Sequence, residues 1–411
     1  MIKQLLAFKK TFAMYGASFI AVLLGFIISI LNTKVLGPEK FGDFKYIETV
    51  VRLIASLVSV GFFISITRLI AINNNAVKEK KYLGLFVVIL SIISAVGVLL
   101  VFIYSFIEPL FFKETFGSTF RTYFFIVPAI IANLALLEIL KGLHKIYTLA
   151  LLTIIPLIAY AIVAYTISAT TTLNVNNVLL LYYGLLFITT IIVLITIKPN
   201  FNYKKSLVKE LYKENKHNGR PIYYGSLAGV ATANIAGICI SYFLNDNKQV
   251  GFFMLALTVC SPLLIIPSVM GTTYFKQFVH LPKIPTKVVL FSIAVTAFAL
   301  VIFYSLIDYV VIQFYSKDYL PVANIAKFLI LGFIFHGLGD LINRFLGAKG
   351  EGKKLRNAAF FVGAINILGY TLLIKYFQMN GAIITKILAS CLYLIVMLYY
   401  YINFIKKNKH V

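Results

Sequence analysis

Residues 82–107 read YLGLFVVILSIISAVGVLLVFIYSFI, a run without a single charge. About 20 apolar residues at 1.5 Å rise each cross the roughly 30 Å hydrocarbon core of a bilayer as a helix. This stretch is therefore a membrane span. Working outward from it, the chain divides into similar apolar runs at 12–35, 45–71, 119–140, 146–169, 178–197, 221–244, 249–274, 288–314, 321–346, 356–377 and 381–405, giving about twelve predicted spans. The run 45–71 is the least regular, because Glu48, Arg52 and Arg68 interrupt it. The opening run exceeds the 7–15 residue core of a cleaved signal peptide, so it reads as a retained span.

Composition agrees. Of 411 residues 60% are apolar and 13% charged, with a mean hydropathy of +0.91. So few charges do not cover the surface of a soluble protein this large. The net charge of +24 would suggest nucleic acid in a soluble chain. Here the basic residues sit in short runs between spans, where they set orientation and meet anionic lipid. With the N-terminus in the cytoplasm, inner connections hold 26 Lys and Arg and outer ones eight. That bias places both termini inside and favours an even number of spans. Cys239, Cys260 and Cys391 lie in apolar runs and read as small buried hydrophobes.

The longest connection, 198–220, is highly basic and falls mid-chain. It separates a predicted N-terminal lobe, 1–197, from a C-terminal lobe, 221–411, each of six spans. The turn at Leu36-Gly37-Pro38-Glu39-Lys40-Phe41-Gly42 corresponds to Leu244-Asn245-Asp246-Asn247-Lys248-Gln249-Val250-Gly251, 209 residues later by Gly42 and Gly251. Two halves of even span number insert the same way up, and in such parallel repeats the substrate path lies between them. Gly225, Gly229, Ala233 and Gly237 form a smooth stripe on the seventh span, and Pro262 and Pro267 are expected to kink the eighth.

Further residues carry a family resemblance. Leu36-Gly37-Pro38-Glu39-x-Phe41-Gly42, then Gly61-Phe62 and Arg68-x-Ile70-Ala71, resemble the first two spans of oligosaccharide flippases of the Wzx type. Asn343-Arg344-Phe345-Leu346-Gly347-Ala348-Lys349-Gly350-Glu351-Gly352-Lys353 resembles their tenth-to-eleventh connection, and Asn366-Ile367-Leu368 and Gly381-Ala382-Ile383 fit their last two spans. These motifs mark the wider multidrug/oligosaccharidyl-lipid/polysaccharide exporter superfamily. The resemblance implies an all-α integral membrane protein of two six-helix lobes in a V around a central cavity. It also implies export of an undecaprenyl-diphosphate-linked oligosaccharide across a bacterial plasma membrane, for O-antigen, capsule or another surface glycan. The expected partners are that substrate, the bilayer and polysaccharide polymerase machinery, with no nucleic acid, metal or cofactor.

Ionisable groups at membrane depth cost about 2.5–3.5 kcal/mol each on insertion scales, so each needs a reason. Glu48 and Arg52 are one helical turn apart, as are Asp340 and Arg344. Lys327 and Lys386 lie in the tenth and twelfth spans with no carboxylate close in sequence. One reading makes Arg52, Lys327, Lys386, Arg344 and Arg68, with Glu48 and Asp340, the lining of a cationic cavity for a diphosphate. The other makes the two i, i+4 pairs self-neutralising structural bridges and Arg68 an interfacial anchor. Glu138, His336 and Asp308 are candidates for ion coupling, although a lone intramembrane histidine also serves as a packing residue. Two competing functions remain. A multidrug cation antiporter needs cavity carboxylates, which basic groups match or outnumber here. A membrane glycan polymerase or glycosyltransferase needs a sizeable catalytic outer loop, and no outer connection exceeds about 12 residues. No zinc-protease, phosphate-loop or serine–histidine motif is present. A transporter, rather than an enzyme, is expected.

Overall fold

The computed structural model describes residues 2–73 and 75–408, and their side chains apart from those of 2–15, 17–18, 226, 228–233, 265, 276 and 408. The side chains of Lys3, Lys9, Lys10, Lys276, Lys409 and His410, and the packing of Gly229 and Ala233 in the small-residue stripe, lie outside the described residues.

Among the described residues the chain forms thirteen α-helices and no strand. They are α1 (Ile2–Val58), α2 (Phe62–Ile72), α3 (Ala76–Ile107), α4 (Gly117–Thr122), α5 (Ile126–Gly142), α6 (Ile146–Ser168), α7 (Val175–Thr196), α8 (Lys205–Glu214), α9 (Arg220–Leu244), α10 (Asn247–Phe278), α11 (Thr286–Val310), α12 (Leu320–Ala348) and α13 (Gly352–Asn408). By length and composition, seven helical stretches among these residues are able to cross a membrane, or eight if the bent α10 counts as one. Short polar residues start several of them. Asn75 accepts from the Val77 and Lys78 amides, Asn174 from that of Asn177, and Asp246 from that of Lys248, each satisfying an N-terminal donor that the helix leaves free.

Every apolar run of the sequence is helical, but the breaks are not all where hydropathy puts them. The runs 12–35 and 45–71 meet inside α1, which turns at Gly37 (φ 71°) with Pro38 opening the next segment. The run 45–71 is itself divided, because α1 stops at Val58 and α2 begins at Phe62. Val60 (φ 43°) and Gly61 (φ 80°) make that corner. The run 119–140 is split between α4 and α5 by Tyr123–Phe125. α13 carries a break at Gln378, between the two runs predicted there. α10 bends by 41° between Asn247–Leu264 and Ile266–Phe275, beside Pro262 and Pro267, as missing backbone donors dictate. The two turns paired by the repeat both pass through a residue of positive φ, Gly37 (φ 71°) and Asn245 (φ 52°).

The chain forms two compact units, Met1–Leu227 and Ala228–Val411. In the first, α1 packs on α6, and α5 on α7, α3 and α2, around fully buried Phe41, Tyr46, Leu136, Tyr160 and Tyr183. In the second, α12 packs on both α10 and α13 and is the most buried of the candidate spans. Large apolar side chains such as Phe19, Leu99, Ile192 and Phe298 point outward on both units. Apolar surface of this extent is incompatible with water and suits lipid.

Candidate functional site

In the first unit the i, i+4 pair at membrane depth has a third member. Glu48, largely buried, accepts from Arg52 Nε at 2.9 Å and from Lys45 Nζ at 2.7 Å. Lys45 also lies over the Phe41 and Phe44 rings at 5.6 and 5.3 Å. Two cations on one carboxylate leave the three side chains with one net positive charge. The bridge expected to neutralise itself therefore does not. Arg52 lines a cavity of about 120 Å³ with Asn133, Thr153, Tyr182 and apolar residues of α5, α6 and α7. A water takes roughly 30 Å³ and small-molecule sites run from about 300 Å³. This cavity accommodates a few waters or one small polar group, not a glycan.

The second unit brings its charges into three places. Lys327 has no carboxylate near it along its helix, but in space Asp308 of α11 lies 2.6 Å from its Nζ. That candidate cation is thus paired, and by a residue singled out for coupling. Asp340 and Arg344 are 3.6 Å apart, too far for a strong hydrogen bond; Ser268 of α10 instead donates to Asp340 at 2.7 Å. His336 stacks on Tyr393, ring centroids 4.6 Å apart, and the Tyr393 hydroxyl accepts from Asn343 at 2.9 Å. Lys386 lies over the Phe333 ring at 5.3 Å and has no ion pair among the described residues. A cation–π contact supplies about 0.5–2 kcal/mol against the roughly 2.5–3.5 kcal/mol that a lysine costs at membrane depth. Lys386 is therefore incompletely compensated, which singles it out for a polar partner.

Other candidates occupy the predicted inner ends. Glu138 pairs with Lys141 at 2.6 Å, both well exposed. Arg68 pairs with Glu214 of the basic connection, and Lys78 with Glu210 at 3.1 Å. The connection is thus part of the first unit. α8 buries Leu207 and Leu211 against it and carries its lysines on the other side. The connection also covers the corner at Ser59–Gly61, where carbonyls lose their helical partners. Tyr223 Oη donates to the Ser56 and Leu57 carbonyls at 3.1 and 2.8 Å. With its amide nitrogen facing the corner, Asn215 donates to the carbonyls of Val60 and Gly61 at 3.3 and 3.2 Å. Buried carbonyls without helical partners need other donors, and these side chains supply them.

Sequence reading missed Lys45, Ser268 and Glu108. Glu108 is fully buried at the predicted outer end of α3; its Oε2 accepts from the Phe116 amide at 2.9 Å, and its Oε1 has no hydrogen-bond partner among the described residues. Its position at the end of a run made it resemble an ordinary loop residue. Lys45, three residues before Glu48, was legible as an i, i+3 partner.

The fold is that of membrane transporters of the multidrug/oligosaccharidyl-lipid/polysaccharide exporter superfamily. The chain resembles the lipid II flippase MurJ in an inward closed conformation, at 16% identity over 94% of this chain and 87% of that one, with a TM-score of 0.72. It also resembles the eukaryotic MATE transporter AtDTX14 (15% identity, 98% of each chain, TM-score 0.64). A further match is a multidrug resistance transporter of this superfamily in its inward-facing conformation (16% identity, 95% of this chain and 96% of that one, TM-score 0.62). No curated protein matches in sequence. The model of the polysaccharide biosynthesis protein family matches residues 7–275, and the chain belongs to that family.

Proposed function

We propose that the protein is a flippase that moves an undecaprenyl-diphosphate-linked oligosaccharide from the cytoplasmic to the outer leaflet of a bacterial plasma membrane, for surface polysaccharide assembly. The observation that carries this reading is the surplus of positive charge within two candidate spans, at Lys45–Glu48–Arg52 and at Lys386, in a member of a polysaccharide biosynthesis family. A cation-drug antiporter would want the opposite polarity. A diphosphate is recognised by a guanidinium fork and by ammonium point charges. In this reading twelve spans form two six-helix lobes with both termini in the cytoplasm, and the lobes rock about a site near the midplane. Each hydroxyl of the headgroup would cost several kcal/mol to strip of water without replacement; an aqueous cavity avoids that while the prenyl tail stays in lipid. Outward release carries negative charge toward the positive side, favourable by about 2.3 kcal/mol per charge per 100 mV.

The test is flipping of fluorescent undecaprenyl-diphosphate oligosaccharide by the purified protein in liposomes, with and without an inside-negative potential. Protein-dependent, potential-sensitive flipping is expected. Arg52→Ala and Lys386→Ala should abolish it at normal protein levels; Glu48 keeps Lys45 when Arg52 is removed, so the fold is not left with an unpaired carboxylate. Efflux of an organic cation without flipping would refute the proposal.

A further inference from the structure

One groove of the first unit has no part in the transport path proposed above. It lies between α6 and α7 and encloses about 550 Å³, within the range of small-molecule sites. Leu151, Ile155, Ile192 and Val193 form its apolar wall, while His144 and Lys145 line one end. Leu151, Ile155 and Ile192 are each about half exposed, so the wall faces outward rather than into the core. From Lys145 to Ile155 the helix advances ten residues, about 15 Å, half of a roughly 30 Å hydrocarbon core. The groove therefore has the depth of one leaflet, with its cations where headgroups lie.

The charged end is shaped by an unusual corner. α5 closes with His144 N–H donating to the Lys141 carbonyl at 3.1 Å and Lys145 N–H to that of Leu140 at 3.0 Å, the pattern that normally places glycine in the left-handed position. Here that position is His144, with φ 52°. A side chain kept in a strained conformation points to use of that side chain. Lys141 is committed to Glu138, whereas Lys145 has no ion pair among the described residues.

We propose that the groove is a binding site for an anionic phospholipid of the cytoplasmic leaflet. Its phosphate meets Lys145 and His144, and one acyl chain runs along Leu151, Ile155, Ile192 and Val193. Charge complementarity selects the anionic headgroup. The one-leaflet depth selects an ordinary acyl chain, since an undecaprenyl chain overruns it. Assignment to the cytoplasmic leaflet rests on the orientation proposed above; binding does not, and it is measured without reference to transport.

The test is native mass spectrometry of the full-length protein in detergent, titrated with phosphatidylglycerol and phosphatidylcholine. The unaltered protein is expected to hold one phosphatidylglycerol about tenfold more tightly than phosphatidylcholine. Lys145→Glu should remove that preference, and His144→Gly, which relaxes the corner and so spares the fold, should weaken it severalfold. Lys283→Glu, an equal charge change in the other unit, should leave it intact. Equal retention of the two lipids, or a preference that survives both groove substitutions, would overturn the proposal. So would displacement of the bound phosphatidylglycerol by equimolar undecaprenyl phosphate, which would make the occupant the substrate's carrier.

Discussion

Gly37 and Gly61 both have a positive φ, in opposite surroundings, and exchanging each for alanine sets backbone strain alone against strain with packing. An alanine costs about 1–2 kcal/mol in the αL conformation of Gly61 (φ 80°, ψ 0°) and about 1–3 kcal/mol at Gly37, whose ψ of 173° lies outside that region. A β-carbon at Gly37 meets nothing within 4 Å. At Gly61 it would lie 2.5 Å from the Gly219 carbonyl carbon and oxygen and 2.8 Å from the Arg220 nitrogen. These are backbone atoms that no side-chain rotation moves aside, and overpacking of this kind adds about 1–3 kcal/mol. The expected losses are thus about 1–3 kcal/mol for Gly37→Ala and about 2–5 kcal/mol for Gly61→Ala. The second substitution releases its extra strain most readily by lifting 215–220 off the corner. Trypsin cleavage at Lys204, Lys205, Lys209, Lys213 and Lys216 reports that lifting, beside the thermal midpoint in the same detergent. Gly61→Ala should be cut markedly faster than the unaltered protein, and Gly37→Ala no faster. Equal cleavage of the two variants would mean that the connection is not seated on Gly61.

Tyr223→Phe removes the hydroxyl shared by the Ser56 and Leu57 carbonyls; a loss of about 1–3 kcal/mol is expected, seen as faster amide exchange across the last turn of α1. At Glu108, Gln retains an acceptor for the Phe116 amide and removes a buried charge. Glu108→Gln should therefore leave the thermal midpoint unchanged or higher, while Glu108→Ala lowers it, and the reverse order would contradict the assigned hydrogen bond. For Lys327 and Asp308, export by the single variants Lys327→Met and Asp308→Asn should be lost and the double variant should recover it if the pair is structural; a double variant that stays inactive assigns Lys327 to the substrate.

Much of the helical layout was legible because lipid imposes one rule on every span, a long uncharged run. That rule located residues 82–107, and the missing amide donors of Pro262 and Pro267 located the bend in α10, without any knowledge of packing. It failed at Ser59–Gly61, where Ser and Val do not interrupt an apolar run and the corner depends on partners as distant as Asn215 and Tyr223. Helical spacing found Glu48–Arg52 because i, i+4 neighbours meet within one element. It could not find Asp308 for Lys327 or Ser268 for Asp340, since both contacts join different helices. Hydropathy also treated the basic connection as a tether, because lysines dominate it; the apolar side of α8 amounts to Leu207 and Leu211, too little to register in a window average.

The covered corner has a consequence for how the chain is made. The Ser56 and Leu57 carbonyls wait for a hydroxyl 166–167 residues downstream. At about 5–20 residues per second, that interval is roughly 8–33 s of synthesis during which the chain carries an unfinished bend. The N-terminal half is then not an autonomous early product. A nascent chain ending near residue 197 would expose the open corner to quality-control proteases, whereas one reaching residue 227 carries the groups needed to close it.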